Sequence, residues 1–128
     1  MWKFKRIKLS QDFKSLLKIH FKNQYEVGGV IFAKKHTFFT TLETLSFKKG
    51  APLSITFNEE DEVLFQTPKG NTIVGTWHTH PFQNEIQPSN IDLKQWKKWK
   101  KEFIHLIYNG YKIKIYTSKG ELIYVEQI

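Results

Sequence analysis

Apolar residues fall at helical spacing near the start of the chain, and at strand spacing or in short unbroken runs over most of the rest. Phe13, Leu16, Leu17 and Phe21 share one face of a helix that Ser10 can cap, with its end expected near Asn23. Val27-Gly28-Gly29-Val30-Ile31-Phe32-Ala33 and Thr37 to Leu45 read as two strands joined through Lys34-Lys35-His36, and Leu53 to Phe57 as a further short one. Asn58 with Glu59-Glu60-Asp61-Glu62 and Val63-Leu64-Phe65 opens a short helix, its acidic first turn facing the positive end of the dipole. Thr67-Pro68-Lys69-Gly70-Asn71 is a turn. Ile73 to His80 forms a strand that Pro81 ends, and the stretch to Pro88 is loop. Ser89 then caps a second helix, with Leu93, Trp96 and Phe103 inward and Lys94, Lys97, Lys98, Lys100 and Lys101 mainly outward. Ile104 to Tyr108 and Lys112 to Tyr116 flank Asn109-Gly110, a type I′ hairpin signal, and Ser118-Lys119-Gly120 turns into Leu122 to Val125. A helix, strands, a helix and a β-meander make an α+β order, expected as a single domain over residues 1–128.

Composition narrows the function classes. With 40% apolar and 16% aromatic residues the chain suits a packed core and not a disordered one. No apolar run approaches the roughly 20 residues of a spanning helix. The basic start, Met1-Trp2-Lys3-Phe4-Lys5-Arg6, is not followed by an apolar segment with a small-residue cleavage site. A cytoplasmic protein with no membrane partner is therefore expected. There is no cysteine, which removes disulfides, thiolate ligands and a cysteine nucleophile, so any metal must be held by imidazole and carboxylate. The net charge of +8 points toward an acidic partner, whether nucleic acid, anionic lipid or acidic protein, although lysine as the chain's solubilising residue is the favoured explanation. The segment Lys94-Gln95-Trp96-Lys97-Lys98-Trp99-Lys100-Lys101 is where nucleic acid would bind, its lysines on phosphates and Trp99 under a base. No nucleic-acid motif accompanies it, and Trp96 in the core, Trp99 at its rim and lysines in solvent form the simpler arrangement.

Candidate chemistry centres on His78-Thr79-His80. Alternate strand residues point to one face, so both imidazoles can reach one ion at about 2.0–2.1 Å. Such a pair alone is a weak signal. Ser89-Asn90-Ile91-Asp92 makes a capping box without any metal. The loop after His80 is short and bounded by prolines, however, so this helix start must lie close to the strand end that carries the histidines. A carboxylate there can complete a two-histidine, one-aspartate site with a fourth tetrahedral position left for water. His20, His36 and His105 are expected as packing or partly exposed histidines. Glu59 to Glu62 lacks the spacing of a calcium loop and is expected as a solvated helix start, and Glu85 as an exposed loop residue.

These residues resemble a known family. Gly75-Thr76-Trp77-His78-Thr79-His80-Pro81, followed by Pro88-Ser89-Asn90-Ile91-Asp92, is similar to the JAMM signature of MPN (JAB) domains, HxHP and then SxxD. Glu26-Val27-Gly28-Gly29-Val30-Ile31 fits the family's upstream glutamate, placed after the first helix. Seven residues separate Pro81 from Ser89, one more than is usual in the family. The order of elements is similar along nearly the whole chain. The resemblance implies an MPN (cytidine-deaminase-like) fold, a mixed β-sheet flanked by helices. It implies Zn²⁺ held by His78, His80 and Asp92. Glu26 would hold and deprotonate the water on the ion and pass the proton to the leaving amine, and Ser89 would bond the developing oxyanion. The implied protein is a compact, prokaryotic-type metallopeptidase that cuts an amide or isopeptide bond, its substrate the tail of a ubiquitin-like or sulfur-carrier-like protein or another small protein or peptide. A further partner protein is left open. Two non-enzymatic alternatives stand beside it: a catalytically silent MPN scaffold, and a basic nucleic-acid-binding module with a structural zinc.

Overall fold

The structure, a computed structural model, describes residues 6–50, 62–82 and 86–128. Its strands and helices run in the order β1 (Arg6–Leu9), α1 (Gln11–His20), β2 (Val27–Lys35), β3 (Phe39–Leu45), β4 (Lys48–Lys49), a short 3-10 turn (Glu62–Phe65), β5 (Thr72–Thr79), α2 (Asn90–Trp96), β6 (Ile104–Tyr108), β7 (Lys112–Thr117) and β8 (Leu122–Gln127). The strands form one mixed sheet in the order β1-β3-β2-β5-β6-β7-β8, with β4 paired to the start of β2. The β1–β3 and β5–β6 pairs are parallel and the other pairs antiparallel. This is the expected α+β arrangement, a mixed sheet with two helices among the described residues.

One helix covers each face. Ser10 caps α1 as expected, its hydroxyl accepting the Phe13 amide at 3.0 Å. Phe13 and Leu17 then bury completely against Val27, Ile31, Trp77, Leu106 and Tyr108; each such side chain contributes about 1.5–3 kcal/mol. Strand alternation sends Ile107 to the opposite face, where it packs with Ile86, Trp96 and Tyr116 beneath α2. The central strands β2, β5 and β6 are covered on both sides, so their residues are almost all buried and the runs lack polar alternation.

Several expected boundaries change. Helix α1 stops at His20, with Phe21 as its C-cap, and does not reach Asn23. Lys34 and Lys35 belong to β2 and not to its connection. Helix α2 ends at Trp96, so Phe103 lies outside it, and Trp99 instead stacks on Phe65 and Phe103. Asn109-Gly110 does not form a type I′ turn, which requires positive φ at both residues. Only Gly110 has one (φ 107°). The Asn109 side chain takes over, its Oδ1 accepting the Tyr111 and Lys112 amides at 3.2 and 2.9 Å. The expected strand at Leu53 to Phe57 and the Asn58 helix start lie outside the described residues.

Candidate metal centre

Strands β2 and β5 place three of the expected residues on the sheet face beneath α2. They pair with Gly28 opposite His78. A Cβ on Gly28 would stand 2.5 Å from the Trp77 carbonyl oxygen and 2.9 Å from the His78 Cβ, so the strands reach this spacing only because residue 28 has no side chain. His80 lies just beyond β5, but its amide donates to the Tyr108 carbonyl at 2.9 Å, which continues the ladder and keeps both imidazoles on one face. Thr79 points the other way. Its Oγ1 accepts the Val27 amide at 2.9 Å and ties the residue after Glu26 to the strand between the two histidines. The Glu26 carbonyl in turn accepts the Gly50 amide at 2.8 Å.

Helix α2 supplies Asp92. The Ser89 hydroxyl accepts the Asp92 amide at 3.0 Å, and Asp92 Oδ2 accepts the Ser89 amide at 2.8 Å, so the expected capping box forms. The same carboxylate also faces the histidines. Its Oδ1 lies 3.2 Å from His78 Nε2 and its Oδ2 3.2 Å from His80 Nε2, while the two Nε2 atoms are 2.9 Å apart. Capping and convergence are thus one arrangement and not rival readings of Asp92. A Glu26 oxygen and one ring nitrogen from each histidine lie within 4.8 Å of one another. All four side chains are buried. The loop entering α2 is pinned through Ile86, whose carbonyl accepts the Tyr116 hydroxyl at 3.1 Å and Lys114 Nζ at 3.4 Å.

Protons alone do not satisfy this cluster. If both Nε2 atoms carry a proton to reach Asp92, two donors face each other at 2.9 Å. If one is bare, its lone pair faces a carboxylate oxygen at 3.2 Å. A cation among them resolves the conflict, because bonds of about 2.0–2.1 Å in a tetrahedron set neighbouring ligand atoms about 3.3 Å apart. The donor set of imidazole and carboxylate fits Zn²⁺.

Electrostatics separate the two carboxylates. Burial raises the Glu26 carboxyl to about 7, with the Asp92 charge adding and His80 opposing. For Asp92 burial acts in the same direction, but hydrogen bonds from His78, His80 and the Ser89 amide outweigh it and hold the group well below the usual carboxylate range. In the metal-free fold one buried group therefore takes up its proton near neutrality while its neighbour stays ionised. That division suits a base beside an anionic ligand.

The remaining candidates serve packing. His20 stacks on Phe47 and His36 on Phe39. His105 is fully buried and stacks on Trp96 at 4.8 Å. Its Nδ1 meets Thr76 Oγ1 at 2.7 Å and its Nε2 meets Ser118 Oγ at 2.8 Å. Ser118 also donates to the Lys100 carbonyl, which leaves its oxygen to accept from Nε2–H. Burial first, then the His78 charge, pushes His105 down to about 3. Sequence reasoning missed the roles of Thr76, Thr79 and Ser118, whose partners lie 13 to 52 residues away. Glu85 and the side chains of Glu59 to Glu62 lie outside the described residues.

The arrangement can be set beside known proteins. The fold is similar to a JAB1/MPN domain protein from Archaeoglobus fulgidus, with a TM-score of 0.61 at 23% identity, covering 93% of this chain and 96% of that one. It is similar to a protein from Desulfitobacterium hafniense with a TM-score of 0.58 at 15% identity, covering 95% and 89%. A third similar structure is described as a metalloprotease-like JAMM zinc site in the proteasome and signalosome, with a TM-score of 0.52 at 18% identity, covering 96% and 98%. Among curated proteins none matches the sequence. A family model described as prokaryotic homologs of the JAB domain matches residues 18–119, a span that holds Glu26, His78, His80, Ser89 and Asp92, and the chain belongs to that family.

Proposed function

We propose that this JAB-domain protein is a zinc metallopeptidase that hydrolyses an amide or isopeptide bond at the C-terminal tail of a ubiquitin-like or sulfur-carrier-like protein. The observation that carries the reading is the convergence of His78, His80 and Asp92 beside a buried Glu26 whose carboxyl is raised to about 7. His78, His80 and Asp92 would hold the ion. Bound Zn²⁺ would polarise the scissile carbonyl and lower the pKa of water at the site to about 7.

The chain's own residues supply the remaining steps. Glu26 takes the proton of the attacking water and returns it to the leaving amine, a role that its carboxylate is placed for by lying within 4.8 Å of a ring nitrogen of each histidine. The Ser89 hydroxyl oxygen is occupied by the Asp92 amide, but its proton remains to be donated to the oxyanion. An extended tail adds as a strand beside the site, its backbone bonds giving affinity that is independent of side chains.

Zinc content and cleavage of a ubiquitin-like fusion, measured on wild type, Glu26→Gln and Asp92→Ala, test the reading. Glu26→Gln should keep zinc and lose turnover, and Asp92→Ala should lose both. A Glu26→Gln variant as fast as wild type refutes the mechanism. Zinc in the wild type without cleavage of any tail favours the silent scaffold.

A further inference from the structure

Helix α2 leads from the candidate centre straight into a cationic surface that the proposed chemistry does not use. Lys94, Lys97, Lys98, Lys100 and Lys101 are all exposed, and among the described residues no acid lies within ion-pair reach of any of them. The only acid between residues 94 and 102 is Glu102. Five like charges so close together, with no acid among the described residues in reach to offset them, repel one another, a cost that solubility alone does not require to be concentrated. At 1.5 Å per residue, Lys94 and Lys97 stand about 3 and 8 Å along the helix from Asp92. These backbone offsets are comparable to the screening length of about 8 Å at physiological salt. Their field therefore reaches the rim of the site, where Ser89 and Ile91 are also exposed.

We infer that this lysine surface docks the acidic face of a protein substrate whose tail enters the site, an inference that rests on the peptidase reading above. Nucleic acid fits less well. Trp99, the aromatic residue that would stack on a base, is half-buried and engaged by Phe65 and Phe103 at 5.7 and 5.8 Å. The surface also carries no arginine, the residue suited to bidentate phosphate contacts. Hydrated lysine charges speed encounter and allow rapid release, which suits an enzyme that must let its product go.

The test uses one small globular carrier made with an acidic and with a neutral surface, each bearing the same cleavable tail. Wild type should prefer the acidic carrier in kcat/KM by about ten- to hundredfold at low salt, a preference that shrinks as salt rises. The triple variant Lys97→Glu, Lys98→Glu, Lys101→Glu should lose that preference, while cutting the isolated tail peptide at the wild-type rate, which also verifies its fold. Equal rates on the two carriers, or a preference that survives the triple variant, overturn the inference. So does tighter binding of duplex DNA or of phosphatidylserine vesicles than of the acidic carrier. If neither carrier is cut, fluorescence anisotropy separates the two proposals. Lysine-dependent capture of the acidic carrier then sustains the docking surface while the peptidase reading fails, and no such capture removes both.

Discussion

Replacing Glu26 by glutamine removes a charge that the metal-free fold holds at a cost, and the cost has a defined pH dependence. Burial, with Asp92 adding, raises the carboxyl from 4.5 to about 7. At 1.36 kcal/mol per pH unit that span is worth about 3 kcal/mol. Water still reaches part of the carboxyl, so about 1.5 kcal/mol is the working figure. The sign follows from which state ionises first. Below 4.5 the group is protonated in both folded and unfolded chains and costs nothing. Between 4.5 and about 7 only the unfolded chain ionises, so wild type loses stability as pH rises, and above 7 the loss is complete. Glutamine has the same shape and no charge. Urea unfolding of chelator-treated protein should therefore show the Glu26→Gln variant gaining about 1.5 kcal/mol on wild type between about pH 5 and about pH 8. Zinc should reverse the effect, because a nearby cation favours the ionised carboxylate. A stability difference that does not change with pH in the metal-free proteins would refute the reasoning.

Other expectations follow from the contacts around the site. Gly28→Ala forces its Cβ against the Trp77 carbonyl and the His78 Cβ, so it should cost about 1–3 kcal/mol in thermal unfolding and weaken zinc binding in a competition assay. Thr79→Val strands the buried Val27 amide at a cost of about 1–3 kcal/mol, and should lower kcat more than zinc content because it loosens Glu26 and not the ligands. His105 is neutral when folded, so the stability it supports is complete above 6.5 and falls as pH drops toward about 3. His105→Phe should flatten that acid slope in urea titrations, yet lower stability at neutral pH by about 1–3 kcal/mol because Thr76 and Ser118 lose their partner. Chelation should lower the melting temperature of the zinc-loaded protein by the equivalent of about 4 kcal/mol where zinc stands at roughly a thousand times its Kd.

Much of this was legible in the sequence because it is local. The Ser10 and Ser89 caps, the alternation that puts His78 and His80 on one face, and the proline-bounded loop that brings Asp92 near them each depend on a few neighbouring residues. What was not legible depends on distant partners. Strand β1 has four residues and exists through parallel pairing with β3, and β4 has two and exists through β2. Helical spacing continues past Trp96, but Trp96 packs on His105 while Trp99 goes to Phe65, and one straight helix does not serve both. Asn109-Gly110 carries a turn signal whose type was decided by the asparagine side chain bonding the backbone ahead of it. Thr79 stands between two candidate ligands with nothing nearby to mark its role, and only the fold reveals that it holds the strand beginning beside Glu26.

The candidate centre is carried by two kinds of support. Glu26, His78 and His80 sit at or next to strands with neighbours on both sides, whereas Asp92 rides on a seven-residue helix too short to persist without its packing and cap. Backbone amides on the two sides should therefore exchange hydrogen on different clocks: those of β5 only when the whole domain opens, those of α2 through a smaller and more frequent opening. Ligation would slow both, the β5 amides through the added global stability and the α2 amides through the loss of their smaller opening as well. Zinc is then readable twice, as a global change at β5 and as the disappearance of a separate, faster exchange class over the Ser89–Trp96 amides.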